Sequence, residues 1–461
     1  AGGTLISKTG NAVYSANQNA ITISGGTLTS GGKVASLGIG GNGCTVTVGR
    51  EGGSVSDVDI PSIDFKGSFS SYEATVYLLS GTVQEFRNFD KITVATVSQG
   101  KAKFLTGTDI SSKLPNTNLL CQKDEVSGLY EIVALKVENA AAVITRNGKE
   151  VPCNTVGQAV TALADGDMLT LNADYKGTLA ITKKNVTLDL GGNTLTCTDA
   201  TGESAALQIN QSADDDNTVT VKNGKIVTEA QAYACIRATS GSVAKTLTLV
   251  LEDLTFKVGS NNRSGKVVLN KGARTKSPCE AVNNGGLLVT EDGQAWIYGE
   301  TATAFSHANG AEVTLLNDWY CTDYEGTVKV PSSGTFASAK LNLNGKTIKS
   351  YGGSNPAILM GAVGVHETDK AVKSLEISNG CIETSHDGAA VCGSNKSLTL
   401  DDVTLTTTGD DKFGIYTNGM TTDNTVTLKN RSSVSSETGY GIFFSGAGTL
   451  TVEDSTVVER H

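Results

Sequence analysis

Proline is almost missing: 6 residues in 461, where ordinary usage is about 5%. That excludes a proline-rich or collagen-like chain, and the glycines show no three-residue period. Charged residues are 18%, below the usual ~25%, so the chain lacks the charge density of a disordered segment. No apolar run approaches the ~18–20 residues of a membrane-spanning helix, so no direct membrane insertion is expected. Aromatics are 5%. Basic blocks are absent, and Lys+Arg 37 against Asp+Glu 47 gives a net charge of −10. Nucleic acid and anionic membranes are therefore excluded as main partners. None of the nine cysteines forms a C-x-x-C pair, which argues against zinc. Their odd number and wide spacing argue against a disulfide framework; isolated buried thiols are expected.

What is abundant is glycine, 53 residues, together with Thr, Ser, Val and Asn, a mixture that suits short strands and tight turns. The dominant feature is an internal repeat: a short alternating strand, a polar turn and a second short strand. It reads ITISGGTLT (21–29), VTLDLGGNTLT (186–196), VTVKNGKIVT (219–228), LTLVLEDLTF (247–256) and LNLNGKTIKS (341–350). It continues as LEISNGCIET (375–384), LTLDDVTLTT (398–407), VTLKNRSSVSS (426–436) and LTVEDSTVVE (450–459). A second phrase usually precedes each unit, as in AALQIN (205–210), ACIRAT (234–239), GAAVCG (388–393), FGIYTN (413–418) and YGIFFSG (440–446).

The period of about 23–28 residues thus holds three short strands and three turns, enough for one triangular coil. Coils stacked ~4.8 Å apart would turn Val, Ile and Leu inward and Thr outward. Asn-Gly, Gly-Gly and Asp-Asp would fill left-handed turn positions. One coil cannot bury its own core, so several must stack and be capped. The expected fold is all-β, a right-handed single-stranded parallel β-helix.

A short capping helix is expected at about 155–165. Asn154 or Thr155 can N-cap it, and Val156, Ala159, Val160 and Leu163 fall on one face. The related segment 293–319 is expected to be a plain coil rather than a second helix, because Gly299, Thr301 and Thr303 are poor helix formers. Residues 1–60 are read as closing coils of a β-helix, 61–140 as a bridging or terminating β region, and 141–461 as the main β-helix. The chain starts without Met and stops inside a repeat, so a piece of something longer is expected.

The phrases VTLDLGGNTLT and LNLNGKTI, after helix, Asp-Gly-Asp and strand, resemble the pectate-lyase-like parallel β-helix family. In detail the chain is similar to repeat-built, adhesin-like bacterial surface proteins that use this module. The resemblance is specific for fold and weak for function, because that coil carries lyases, hydrolases, tailspikes and adhesins alike. It implies an extracellular or cell-surface location.

Candidate chemistry is sparse. Hydrolysis of a glycosidic bond needs two suitably spaced carboxylates; Asp401–Asp402 and Asp410–Asp411 are the candidates, with filled tight turns as the plainer reading. Hydrolases of the resembled family also carry Asn-Thr-Asp, Gly-His-Gly and Arg-Ile-Lys motifs. Of that set this chain has only the Asp-Asp pairs; its histidines are His307, His366, His386 and His461. Lyase chemistry would need calcium, for which Asp214, Asp215 and Asp216 offer oxygens, and a base such as Arg237. A solvated acidic loop is the plainer reading there. No cofactor other than this calcium is expected.

For binding, Trp296 and Trp319 stand 23 residues apart, one coil length. With Tyr320, Tyr324 and Asp323 they form a candidate glycan platform, flat rings and carboxylates suiting sugar faces and hydroxyls. An inward aromatic stack is the plainer reading. The expected function is a non-enzymatic surface or secreted adhesin-like stalk binding carbohydrate or a host-cell glycan. A carbohydrate-active enzyme, lyase before hydrolase, and a purely structural spacer are the alternatives.

Overall fold

The computed structural model describes residues 2–31, 34–66, 71–99, 103–198, 204–211, 215–229, 234–242, 244–259, 265–321, 327–331, 336–351, 355–361, 372–393, 395–418 and 423–459. They are mostly β-strand, with two α-helices, α1 (Val156–Ala162) and α2 (Thr301–Ala308). The chain divides into two units, residues 1–163 with 169–172, and 164–168 with 173–461.

In the first unit the chain visits three parallel sheets in rotation. One sheet holds Thr4–Ser7, Gly26–Ser30, Val58–Ile60, Gly81–Val83 and Phe104–Thr106; a second starts at Val13–Ser15 and a third at Ala20–Ile23. Alternation in sequence becomes alternation in burial: in Cys44–Val48 and Ala74–Leu78 every second side chain is buried, and the two strands pair in parallel from Cys44–Ala74 to Val48–Leu78. Val46, Val76, Phe65 and Phe104 share one core.

Parallel pairing therefore runs past residue 60, to Thr106, where the sequence suggested a break. Outside Ala74–Leu78 and Ile92–Val97 the run 61–106 lacks the alternating phrase, yet Ile63, Phe65 and Phe86 bury as its aliphatics do. The pattern changes after Thr106. Leu119–Lys123 and Tyr130–Ala134 pair antiparallel, and Ala142–Arg146 with Lys149–Cys153 forms a hairpin.

Helix α1 sits where the sequence placed it. Thr155 is its N-cap: its side chain accepts from Gln158 N–H while Gln158 returns a bond to the Thr155 N–H, a reciprocal capping box. Val156, Ala159 and Leu163 are buried.

In the second unit, long strands bend at a residue with left-handed backbone. Asn223 (φ 57°), Asp253 (50°), Asn379 (57°) and Asp402 (55°) occupy this corner in Asn217–Thr228, Leu247–Lys257, Ser374–Thr384 and Ser397–Thr407. Asn and Asp tolerate that conformation best among non-glycine residues. The strands pair parallel and in register, Leu375 with Leu398 and Leu398 with Val426, and these residues are buried.

The parallel ladder is not continuous over 141–461. Gln294–Tyr298 pairs antiparallel with both Ala273–Lys276 and Leu287–Glu291, and Leu287–Glu291 pairs antiparallel with Glu312–Leu315. Parallel pairing resumes from Glu312–Leu315 to Ser338–Asn342. Helix α2 lies within this interruption, where the sequence favoured a plain coil. Its poor formers are compensated by burial of Thr301, Thr303, Ala304 and Phe305. The Thr301 hydroxyl bonds the backbone of Thr327 and Lys329, and Asn309 ends the helix with φ 47°.

Candidate functional site

The carboxylates singled out in the sequence are largely occupied by their own structure. Asp215 pairs with Lys184 at 2.7 Å; this hydrogen bond and charge hold it below the usual carboxylate range. Asp216 accepts the Thr246 N–H at 2.8 Å, which lowers it most, with Lys245 and Arg274 adding to the effect. Arg237 is on Ala234–Thr239, whose neighbours are Ala205–Asn210 and Val267–Asn270. That is a different sheet from Asn217–Thr228, which starts beside Asp216. Asp214 lies outside the described residues. Among the described residues no group of three or more His, Cys, Asp or Glu is arranged to hold a metal ion.

Asp401 is bonded by Asn430 at 2.6 Å and by Lys429 at 3.1 Å. Burial works against its ionised form, and these two partners outweigh it, so its pKa is lowered. Asp402 fills the left-handed corner (φ 55°) and pairs with Arg431 at 3.3 Å. Asp411 is likewise left-handed (φ 53°), its N–H bonded to the Thr438 hydroxyl, and Asp410 beside it is exposed.

The tryptophans are not register partners. Trp296 is opposite Lys276 and Val289, and Trp319 is opposite Ile348. Both are half-buried against the core. The Arg274 guanidinium covers Trp296 at 3.9 Å, and a Cβ at Gly285 would lie 3.0 Å from the Trp319 ring. Tyr320 is 6.1 Å from Tyr351, whose hydroxyl donates to Glu383. Tyr324 and Asp323 lie outside the described residues.

Arg274 belongs to a half-buried network. It donates to Glu291 at 2.7 Å and to the Tyr298 hydroxyl at 3.1 Å, and Tyr298 donates to Glu291. His307 of α2 meets the other Glu291 oxygen at 3.0 Å and stacks on Tyr298. Burial raises the Glu291 pKa, but His307, Arg274 and Tyr298 together lower it further than that. Burial also pushes Tyr298 up to about 12. These groups satisfy one another and join the antiparallel hairpin to α2.

Among the described residues an exposed cluster of aromatic rings lies elsewhere, on two consecutive strands of one parallel sheet, Ile415–Asn418 and Ile442–Phe444. Register places Tyr416 beside Phe443, and Phe413 and Tyr440 hold the equivalent place one residue before Gly414 and Gly441. The result is a two-by-two set of rings. Phe413 stacks on Tyr440 at 6.0 Å with 11° between planes and on Phe443 at 5.2 Å. Phe413–Tyr416 and Tyr440–Phe443 close it at 5.8 and 6.0 Å. Tyr440 is 58% and Phe443 40% exposed.

Glycine makes the close spacing possible. Gly388, Gly414 and Gly441 stack: a Cβ on Gly388 would lie 2.3 Å from the Gly414 carbonyl oxygen, and one on Gly414 would lie 2.3 Å from that of Gly441. Asp387 accepts the Phe413 N–H at 2.8 Å, and the Asp410–Asp411 turn leads directly into Phe413. The Tyr416 hydroxyl is pushed up by burial, then by Cys392 and Asp387. Sequence reading passed over these rings because FGIY and YGIF were read as strand phrases. Their repetition 27 residues apart, one repeat, was the available signal.

No protein-family model, no curated protein and no solved structure matches the chain.

Proposed function

We propose that the chain is built of right-handed parallel β-helix stacks and is a non-enzymatic extracellular or cell-surface protein that binds carbohydrate. The parallel registers, each joining one repeat to the next, support the fold reading. The observation that carries the function is the four-ring patch of Phe413, Tyr416, Tyr440 and Phe443. Stacked, partly exposed rings offer flat apolar faces to the C–H faces of sugars, and neighbouring carboxylates accept from hydroxyls. Rings at one repeat spacing suit a polymer whose units also recur.

The test is retention on a panel of immobilised glycans. Wild-type protein is expected to bind at least one polymer, and Tyr440→Ala with Phe443→Ala to weaken that binding about tenfold, each ring contributing roughly 0.5–1.5 kcal/mol. Shortening of a polymer by the protein would overturn the non-enzymatic reading, and absence of retention on every glycan would overturn the binding one.

A further inference from the structure

We propose that the ring patch selects sugars without an anionic group, and that it takes amine-bearing hexosamine polymers in preference to uronic-acid polymers. This inference rests on the carbohydrate reading of the same patch and narrows its ligand class.

The charge around the rings carries it. The segments that present them are 385–388, 408–416 and 436–444. They hold four carboxylates, Asp387, Asp410, Asp411 and Glu437, against one permanent cation, Lys412, and one titratable imidazole, His386, so the acidic groups remain in excess even with the imidazole protonated. Asp410, Asp411 and Glu437 are exposed. The Asp387 carboxylate is tied to the Phe413 N–H, and the backbone N–H of Asp411 to the Thr438 hydroxyl of the adjoining repeat, which holds the Asp410–Asp411 turn in place while leaving its two carboxylates in solvent. A uronate laid on the rings would bring its carboxylate into this excess of negative charge. An ammonium on the same scaffold would find complementary charge, while its ring faces stack as those of a neutral sugar do. The whole-chain charge of −10 acts in the same direction.

Three hexasaccharides that differ in charge separate the terms: hexa-glucosamine, hexa-N-acetylglucosamine and hexagalacturonate. Binding is measured by calorimetry at about pH 5.5, where an amine carries its proton, in low and in high salt. The amine is expected to bind about three- to tenfold tighter than the acetylated sugar at low salt, with the gap closing at high salt. Galacturonate is expected to be weakest. Asp410→Asn with Asp411→Asn should narrow the amine preference; asparagine tolerates the left-handed backbone at 411, and an unchanged melting temperature would verify the fold.

Equal or tighter binding of galacturonate would overturn this inference and leave the carbohydrate reading standing. An amine preference left undiminished in the double Asn variant would also overturn it, since its source would lie elsewhere. No binding of any of the three, with the neutral panel also negative, would remove the carbohydrate reading itself.

Discussion

At the scale of single residues, backbone conformation and close approach decide most outcomes. Gly414 is one case, because a methyl group there meets the Gly441 carbonyl. Gly414→Ala is expected to cost about 1–3 kcal/mol, read as a lowered denaturation midpoint, and to disturb the rings on either side. Glu291 is the second case: Glu291→Gln leaves Arg274 and His307 facing an amide, at a cost of about 1.5–3 kcal/mol. Its carboxyl pKa is lower folded than unfolded. The contribution is therefore full above the unfolded value of ~4.3 and is lost as pH falls through the folded value. Melting temperature against pH should show a shallower acid limb in Glu291→Gln than in wild type. The thiols behave differently again. Burial pushes Cys121 to about 11 and Cys235 to about 12, while Cys279 and Cys381 are only half-buried. A thiol reagent should label those two first and reach the others on unfolding; rapid labelling of Cys235 in the native protein would contradict this packing.

At the scale of elements, α1 and α2 show how far local sequence reaches. The capping box and apolar face of α1 are written within ten residues, and Thr155→Ala should cost about 1 kcal/mol by denaturant titration. Helix α2 is not written locally. Thr301 and Thr303 favour other conformations, and what holds them helical is burial against Leu287–Glu291, Glu312–Leu315 and Val328–Lys329, all contributed by other segments. The parallel strands were legible because alternation and corner residues recur at each repeat. The antiparallel interruption at 273–315 was not, because strand direction depends on a hairpin's partner and leaves no mark on its alternation.

At the scale of the molecule, the excess of acidic charge disfavours polyanionic ligands. The protein is expected to pass unretained through an immobilised polyanion at physiological salt; retention would point to a basic surface that the described ion pairs do not suggest. The candidate site is also a whole-molecule property. Asp410 and Asp411 were visible as carboxylates, but their place beside an aromatic patch follows from stacking one repeat on the next. The platform read around Trp296 and Trp319 relied on one-coil spacing to bring its rings and carboxylates together. That spacing does not mean stacking, because Trp296 lies in an antiparallel hairpin and helix α2 comes between it and Trp319.

The sequence by itself determined the β class, the repeat, the left-handed corners and the first helix, because each is encoded within a few neighbouring residues. Only the tertiary structure decided the second helix, the reversal of strand direction, the pairing of each carboxylate and the four-ring patch. Each of these depends on which distant segment lies alongside, and that is set by the energy of joint burial rather than by any residue alone.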